Sequence, residues 1–213
     1  MALLRRRFLV LLEGATWFFG VVGLVVWCTY HVWAAAAARL DVARFVSHQD
    51  PAPQAGTPDQ SLWSPARIVA WRKAMGEPAA APLAVLRISR LQLEVPVLPG
   101  TDDGTLDRAV GHIEDTALPG ADGNSGIAGH RDGFFRGLKD IVEGDLIELE
   151  TASVKEAYRV ERTWVVEPED VSVLDPTPTH ALTLVTCFPF YYIGPAPRRF
   201  IVRAVLTGST SVQ

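Results

Sequence analysis

The sequence is poor in cysteine, and it has no cluster of basic residues beyond three consecutive arginines at residues 5–7. Its 213 residues include 20 Lys and Arg against 24 Asp and Glu, with both signs interspersed and a net charge of −4. Nucleic-acid binding needs a basic surface, so nucleic acid is not expected as a partner. With 48% hydrophobic residues the chain is able to bury one core, and we expect one folded domain.

The N-terminal segment favours a membrane anchor at residues 1–40. Residues 15–33 contain no Asp, Glu, Lys or Arg, and as a helix they span roughly 28 Å, about the thickness of bilayer hydrocarbon. The arginines before this helix and Asp41 after it favour a cytoplasmic N-terminus. We predict a single-pass protein of the cell membrane with an extracytoplasmic domain. A cleaved signal peptide is the alternative, because residues 34–38 are alanines, but the apolar run is long for such a peptide.

The chain has two cysteines, Cys28 and Cys187. Cys28 would lie within the membrane, so the two thiols are not expected to form a disulfide within one chain. Cys187 is then a lone thiol in an oxidising compartment. A thiol of this kind is more often reactive than structural, which makes Cys187 the first candidate for chemistry.

Residues 41–82 are predicted to be a linker. Six prolines fall between positions 51 and 82, which rules out a continuous helix or strand. Inside this segment, Ser64 and Pro65 suit the N-cap and first position of a short helix, and Gly76 suits its end. Three residues would share one face of that helix: Ile68, Trp71 and Met75. We predict that the helix docks on the domain.

From residue 83 to residue 213 the apolar residues come in short runs of strand length, bounded by Pro, Gly and Asp. The runs cover residues 85–88, 91–98, 125–130, 145–150, 158–166, 182–187 and 200–206. Residues 107–112 and 134–141 are each predicted to form a helical turn. The sequence shows no long amphipathic pattern that would cover both faces of a parallel sheet. It therefore predicts a mainly antiparallel β domain that closes into a barrel.

The alternation of strand residues places two candidate side chains on one surface. Successive residues of a strand point to opposite faces, so if the leucines of residues 182–187 face the core, Thr186 joins them and Cys187 faces outward. By the same count Arg199 faces outward from the last strand, whereas Arg198 faces the other way. We therefore expect Cys187 and Arg199 to share an outer groove.

A cysteine nucleophile needs a base, and His130 is the candidate. His130 ends the run GIAG at residues 126–129, whose small side chains let another backbone approach closely. A histidine taken alone is more often a surface or hydrogen-bonded residue. Its position at a strand end, like that of Cys187, favours a catalytic role.

Three blocks of the sequence together resemble the sortase family, the membrane-anchored cysteine transpeptidases, and within it the class D type and its Gram-negative relatives. The blocks are GHIEDTALPG at residues 111–120, GHRD at 129–132 with FFR at 134–136, and TLVTC at 183–187 followed by PF, GPAP and RFIV at 189–190, 194–197 and 199–202. The likeness covers about residues 83–206. Gly133 departs from it, because a larger residue, often Thr, is common there in relatives.

The resemblance implies a sortase-type closed β-barrel of about eight strands with short helices, preceded by one transmembrane helix. It also implies three catalytic residues: His130, Cys187 and Arg199. The Cys187 thiolate would attack the backbone carbonyl of a Thr in an LPxTG-like sorting signal and form a thioester, which an amine would resolve to a new amide. His130 would act as acid and then as base, and Arg199 would stabilise the oxyanion. This mechanism requires no cofactor and no metal.

The resemblance further implies the partners, which would be surface or secreted proteins with an LPxTG-like signal. The acceptor would be an amine of a peptidoglycan stem, a pilin lysine or a similar group. Four residues are predicted to contact the substrate: Thr186, Ala128, Phe188 and Phe190. For the aromatic residues, the alternative that they pin their loop to the barrel has equal weight.

Two further features have structural interpretations. His112 lies in the first block, and we interpret it as a structural or groove-rim residue. An acidic run is interpreted as a solvated strand edge, with a weak calcium site as the alternative. The run consists of Glu143, Asp145, Glu148 and Glu150.

Other functions are less favoured by the sequence. A papain-like or cell-wall peptidase also uses Cys and His, but it places the cysteine first and at the start of a helix, whereas here His130 precedes Cys187 and prolines follow. A membrane-tethered barrel that binds a partner without turnover is the alternative from another class. The same residues could also act mainly as a hydrolase, with water ending the reaction.

Overall fold

The computed structural model of this chain describes residues 58, 60–78, 80–191 and 194–212. The predicted membrane-spanning helix and the first part of the predicted linker lie outside these residues. Among the helices that the described residues form, none is long and apolar enough to cross a membrane.

Eight strands within the described residues form a closed barrel, which confirms the predicted mainly β architecture. They are β1 (Ala84–Ile88), β2 (Leu93–Pro99), β3 (Val110–His112), β4 (Asn124–Gly129), β5 (Leu146–Glu150), β6 (Val154–Val166), β7 (Ala181–Phe188) and β8 (Arg198–Ser211). The helices are α1 (Pro65–Met75) and α2 (Asp103–Arg108), with short 3₁₀ segments at Ser89–Leu91, Phe134–Asp140 and Val171–Leu174.

Around the barrel the strands follow the order β1, β2, β3, β4, β7, β8, β6 and β5, and β5 pairs with β1 to close it. Most neighbours are antiparallel, as predicted, but β2 with β3 and β4 with β7 run parallel. Parallel neighbours need a crossover connection. The long crossover from β4 to β7 contains β5 and β6, and it is this connection that brings two distant strand ends to one edge of the barrel.

The interior of the barrel is apolar and follows the predicted alternation. Leu182 and Leu184 of β7 are fully buried in the core, together with Val202 and Ala204 of β8. Tyr158 of β6 is the largest fully buried side chain, and its hydroxyl donates a hydrogen bond of 2.7 Å to a carboxylate. Burial raises the pKa of Tyr158 far above its usual value, and so does that carboxylate, so the phenol stays protonated.

Helix α1 begins and ends where the sequence predicted. The Ser64 hydroxyl accepts a hydrogen bond from the backbone N–H of Arg67, Pro65 occupies the first position, and Gly76 ends the helix. The helix docks on the barrel through Trp63, which makes edge-to-face contacts with two rings. Their centroids lie 6.3 Å away for Trp71 and 4.9 Å away for Phe134.

The docked face of α1 differs at its last turn from the prediction. Ile68 and Trp71 pack against the core as expected, but Met75 is 53% exposed and Ala74 is buried instead. Arg108 of α2 donates to the carbonyl oxygens of Ala74 and Glu77, at 2.6 and 2.9 Å. This contact satisfies carbonyls at the end of the helix and turns Ala74 towards α2.

The predicted helical turn at residues 107–112 is wrong in its position. Helix α2 begins earlier, because the carboxylate of Asp102 accepts a hydrogen bond from the backbone N–H of Thr105 and caps the helix. Val110–His112 instead form β3, buried between β2 and β4. The second predicted turn, at residues 134–141, is confirmed as the 3₁₀ segment Phe134–Asp140.

Candidate active site

His130 and Cys187 lie at the ends of two paired strands. Strands β4 and β7 run parallel, and Gly129 lies opposite Thr186. The Thr186 hydroxyl donates a hydrogen bond of 2.7 Å to the Gly129 carbonyl, which fastens the two strand ends together. Because parallel strands present their carboxyl ends at one edge of a sheet, the residues that come next, His130 and Cys187, follow at the same edge of the barrel.

The register of β8 brings Arg199 to the same surface. Cys187 and Arg199 are directly opposite each other in the antiparallel pair of β7 and β8, so their Cβ atoms lie on one face, about 4.5–5.5 Å apart. Arg198 is opposite Phe188 and therefore faces the other way, where its Nε lies 3.4 Å from a carboxylate oxygen of Glu167. Arg199, and not Arg198, shares the face of the half-buried Cys187 thiol.

The Arg199 guanidinium is held by backbone carbonyls. Its Nη1 donates to the carbonyl oxygens of Ala196 and Arg198, at 3.3 and 3.0 Å. Both acceptors belong to the chain immediately before Arg199, so they turn the guanidinium towards the loop between β7 and β8.

His130 is largely buried in a charged environment. Its side chain is 24% exposed, and its Nε2 lies 3.7 Å from a carboxylate oxygen of Asp107. Burial lowers the pKa of His130 below its usual value, and the positive charge of Arg67 acts in the same direction. Three carboxylates oppose these effects: Asp132, Asp107 and Asp103. The net effect of these surroundings favours the neutral imidazole.

Two arginines connect the segment of His130 to the loop that follows Cys187. Arg131 donates to the carbonyl oxygens of Pro189 and Gly194, at 3.2 and 2.8 Å. Arg136 donates to the Phe190 carbonyl, and its guanidinium lies 4.0 Å from the centre of the Tyr191 ring. The loop is therefore positioned by the same segment that carries His130.

The aromatic residues after Cys187 pack against the barrel. The Phe190 ring contacts Phe188 edge to face at 6.0 Å between centroids, and Phe200 at 5.2 Å. Phe190 is only 7% exposed and belongs to the core cluster, whereas Tyr191 is 70% exposed. These contacts agree with the alternative that the aromatic residues pin the loop to the barrel. Contact of Phe188 and Phe190 with a substrate stays a prediction.

The two remaining predicted substrate contacts lie on different faces. Thr186 is 2% exposed, and its hydroxyl donates a hydrogen bond to the Gly129 carbonyl. Contact of Thr186 with a substrate stays a prediction. Ala128 is half-buried and lies opposite Val185, on the outward side of the sheet together with Cys187. Ala128 is therefore the better placed of the two to line an outer groove.

Comparison with known proteins bears directly on this arrangement. The model of the sortase domain matches residues 86–207, which is more than half of the chain. The chain belongs to the sortase family. Sortase D of Bacillus subtilis (strain 168) is 35% identical over 121 residues, which are 55% of this chain and 60% of that protein. Sortase SrtE1 of Streptomyces coelicolor is 37% identical over 125 residues, which are 50% of this chain and 36% of that protein.

The chain thus spans less than two thirds of the length of either of these curated relatives. Two solved sortase structures share its fold over a larger part of their length. A sortase D5 transpeptidase of Clostridium perfringens has a TM-score of 0.56 and 28% identity, over 66% of this chain and 89% of that one. Sortase E1 from Streptomyces coelicolor with a tripeptide in the active site has a TM-score of 0.56 and 32% identity, over 61% and 90% of the two chains.

In this sortase, His112 has a structural role. It is 6% exposed, and its Nε2 lies within hydrogen-bond distance of the Ala117 carbonyl, at 3.0 Å, and of the Thr116 hydroxyl, at 3.1 Å. These contacts confirm the interpretation from the sequence. They hold the connection between β3 and β4 in place.

Three residues of the acidic run form ion pairs along the barrel. Asp145 binds Arg90 through two hydrogen bonds, which lower the pKa of Asp145. The other pairs are Glu148 with Lys155 and Glu150 with Arg87. Within the described part of this sortase, no group of three or more His, Cys, Asp or Glu side chains is arranged to hold a metal ion.

Sequence reasoning missed several residues around the site. Arg131, Asp132 and Arg136 lay in the blocks that carry the family likeness, but the blocks gave them no role. Arg67 carried no signal, because it lies in the predicted linker and its acidic partners are 40 and 65 residues away along the chain. Only the folded chain shows that this arginine reaches the surroundings of His130.

Proposed function

We propose that this sortase is a cysteine transpeptidase whose catalytic residues are His130, Cys187 and Arg199. The observation that carries the proposal is the register of three strands. Gly129, the last residue of β4, lies opposite Thr186 of the parallel β7, so His130 and Cys187 are the next residues of two neighbouring strands, and Cys187 lies opposite Arg199 of β8. The relationship to the Clostridium perfringens transpeptidase supports the same activity.

The proposed reaction has two acyl-transfer steps. In the first, the Cys187 thiolate attacks the backbone carbonyl carbon of a Thr in an LPxTG-like sorting signal. The C–N bond breaks, His130 gives its proton to the leaving amine, and a thioester remains on Cys187. In the second, an acceptor amine attacks the thioester carbonyl and gives a proton to His130. The C–S bond breaks, a new amide forms, and the thiolate is regenerated.

Arg199 is suited to stabilise the charge that develops on the substrate carbonyl oxygen. Its guanidinium is always charged and presents several donors in a fixed plane. In the structure these donors face the carbonyls of Ala196 and Arg198. Transfer of the donors to the substrate would exchange one set of carbonyl acceptors for another, with little cost in hydrogen bonds.

Titration arithmetic predicts a slow enzyme. For an unperturbed pair of free side chains, with reference pKa values of about 8.5 for a thiol and 6.5 for an imidazole, the thiolate paired with an imidazolium is on the order of 1% of molecules near pH 7.5. The lowered pKa of His130 reduces this population further, by about tenfold for each pKa unit. Only this small population is ready to attack.

The proposed substrates are surface or secreted proteins with an LPxTG-like C-terminal signal. The acceptor is an amine of a peptidoglycan stem, a pilin lysine or a similar group. Sortase E1 of Streptomyces coelicolor holds a tripeptide in its active site, which supports a peptide substrate here. We place the domain outside the cell membrane, anchored by a single-pass helix within residues 1–40.

The test is to trap the acyl-enzyme. The full chain in detergent micelles is incubated with a library of LPxTG-like peptides and an amine acceptor, and tryptic fragments are examined by mass spectrometry. We expect a thioester on Cys187, and a transfer product that disappears in Cys187→Ala and falls sharply in His130→Gln. A product formed only with water would instead indicate a hydrolase. A folded chain that forms no adduct with any peptide would favour a binding module.

A further inference from the structure

Helix α1 brings one charged side chain to the surroundings of His130. Arg67 lies in the first turn of α1, and its guanidinium forms ion pairs with Asp107 of α2 and with Asp132 of the segment after β4. Asp107 lies 3.7 Å from Nε2 of His130, and Asp132 follows His130 by two residues. One arginine thus joins α1, α2 and the segment that carries the proposed base.

The start of α1 is fastened to the same segment. The hydroxyl of Ser64, the N-cap residue, donates to the carboxylate of Asp132 at 3.2 Å. Position 133 also lies against both residues, because a Cβ at Gly133 would be in van der Waals contact with Cδ of Arg67, at 3.4 Å, and with Cβ of His130, at 3.6 Å.

We propose that Arg67 is a positioning residue for the reaction: it holds Asp107 and Asp132 around His130 while α1 is docked on the barrel. This proposal rests on the transpeptidase function proposed above. It gives α1, which the sequence placed in a linker, a part in the reaction. Undocking of α1 would remove the cation that organises the carboxylates around the base.

The charges that face His130 come from every element packed against it. Arg67 comes from α1, Asp103 and Asp107 from α2, and Asp132 from the segment of His130 itself. Without Arg67, no positive charge of α1 would offset the three carboxylates, and the balance would move towards the protonated imidazole. Removal of the Asp107 charge would favour the neutral form. Undocking of α1 would also raise the pKa of His130 by exposing the imidazole, so only a shift in a variant that keeps α1 docked reports on the charge of Arg67.

The experiment compares four variants of the full chain in detergent micelles. Arg67→Met and Asp107→Asn remove charges of opposite sign next to His130. Arg67→Lys restores the positive charge, and Arg72→Met is the matched control, because Arg72 is an exposed arginine of the same helix. The titration of His130 is followed by NMR, with the signal assigned from His130→Gln. The rate of alkylation of Cys187 by chloroacetamide is followed over the same pH range by mass spectrometry.

We expect the His130 midpoint to rise by about 0.5–1 pH unit in Arg67→Met and to fall by a similar amount in Asp107→Asn. Arg67→Lys and Arg72→Met should stay within about 0.2 unit of the unmodified chain. With a sorting peptide, kcat of Arg67→Met at its own pH optimum should fall about tenfold and recover in Arg67→Lys, with KM changed less than twofold. Near-ultraviolet circular dichroism checks that each variant is folded. If Arg67→Met does not fold, the His130 midpoints of Arg67→Lys and Asp107→Asn test the proposal instead.

Midpoints that stay unchanged in folded Arg67→Met and Asp107→Asn would overturn the proposal. So would a shift in Arg72→Met as large as that in Arg67→Met, because the effect would then belong to the helix in general. The alkylation profile needs no sorting peptide. If the unmodified chain turned over no peptide while the NMR and alkylation midpoints shifted as expected, the transpeptidase function would fail and the positioning of His130 by Arg67 would stand.

Discussion

Replacement of Gly129 by alanine should damage the site through one steric contact. Gly129 is the last residue of β4, directly before His130, and its carbonyl accepts the hydrogen bond from Thr186. A Cβ at Gly129 would lie 2.6, 2.8 and 3.0 Å from three carbon atoms of the Phe135 ring. Carbon atoms normally stay about 3.5–4.0 Å apart, so the ring or the strand end must move by about 1 Å.

The magnitude follows from the burial of Phe135. This ring has no exposed surface and belongs to the core cluster, so it has no free space into which to move. Overpacking of this kind costs about 1–3 kcal/mol of folding free energy. A shift of about 1 Å at the residue before His130 can lower kcat on the order of a hundredfold. Activity should therefore suffer more than stability.

Chemical unfolding and acyl-enzyme formation on Cys187 test this expectation together. Gly208→Ala is the matched control, because a Cβ at Gly208 meets no atom within 4 Å. The double variant Gly129→Ala with Phe135→Leu should recover part of the lost activity, since a smaller side chain relieves the contact. A Gly129→Ala chain as stable and as active as Gly208→Ala would refute the reasoning.

Three further outcomes are expected. The rate of acyl-enzyme formation should follow a bell-shaped pH profile. The midpoint of its acid limb should lie below about 6.5, because the pKa of His130 is lowered and above this pKa the loss of imidazolium offsets the gain in thiolate. A flat profile from about pH 5 to 9 would contradict the pairing of Cys187 with His130. Arg199→Lys keeps the positive charge but loses the planar set of donors, so kcat should fall on the order of a hundredfold. Arg198→Lys is the control, because Arg198 lies on the opposite face, and it should change kcat less than twofold. Arg136→Ala removes the donor to the Phe190 carbonyl and the contact with the Tyr191 ring, so kcat/KM for a sorting peptide should fall about tenfold. Arg72→Ala is the control. If Arg136→Ala has no larger effect than Arg72→Ala, the loop after Cys187 does not depend on Arg136.

The parts of the site that the sequence could predict are those fixed by local rules. Alternation along a strand decided that Cys187 and Arg199 face outward, and the register of β7 and β8 places them opposite each other. The N-cap rule likewise predicted the start of α1 at Ser64. The helix predicted at residues 107–112 begins earlier in the chain, at Asp103, because the carboxylate of Asp102 caps it there.

The placement of His130 at the same edge of the barrel as Cys187 does not follow from such local rules. It depends on the parallel pairing of β4 with β7, and the Thr186 to Gly129 hydrogen bond that ends this pairing joins residues 57 positions apart. Alternation and capping concern residues that are close in the chain, so they do not predict which distant strands pair. The expectation that His130 and Cys187 belong to one site came from the resemblance to the sortase family.

The docking of α1 shows why a linker assignment from composition can hide a functional contact. Prolines indicate that a segment cannot form long regular structure, but they do not exclude a short helix that begins at one of them. Arg67 reaches the surroundings of His130 through its ion pairs with Asp107 and Asp132, which belong to two other elements of the fold. Under the proposal above, the positive charge on α1 therefore acts on the proposed base only after the barrel has formed.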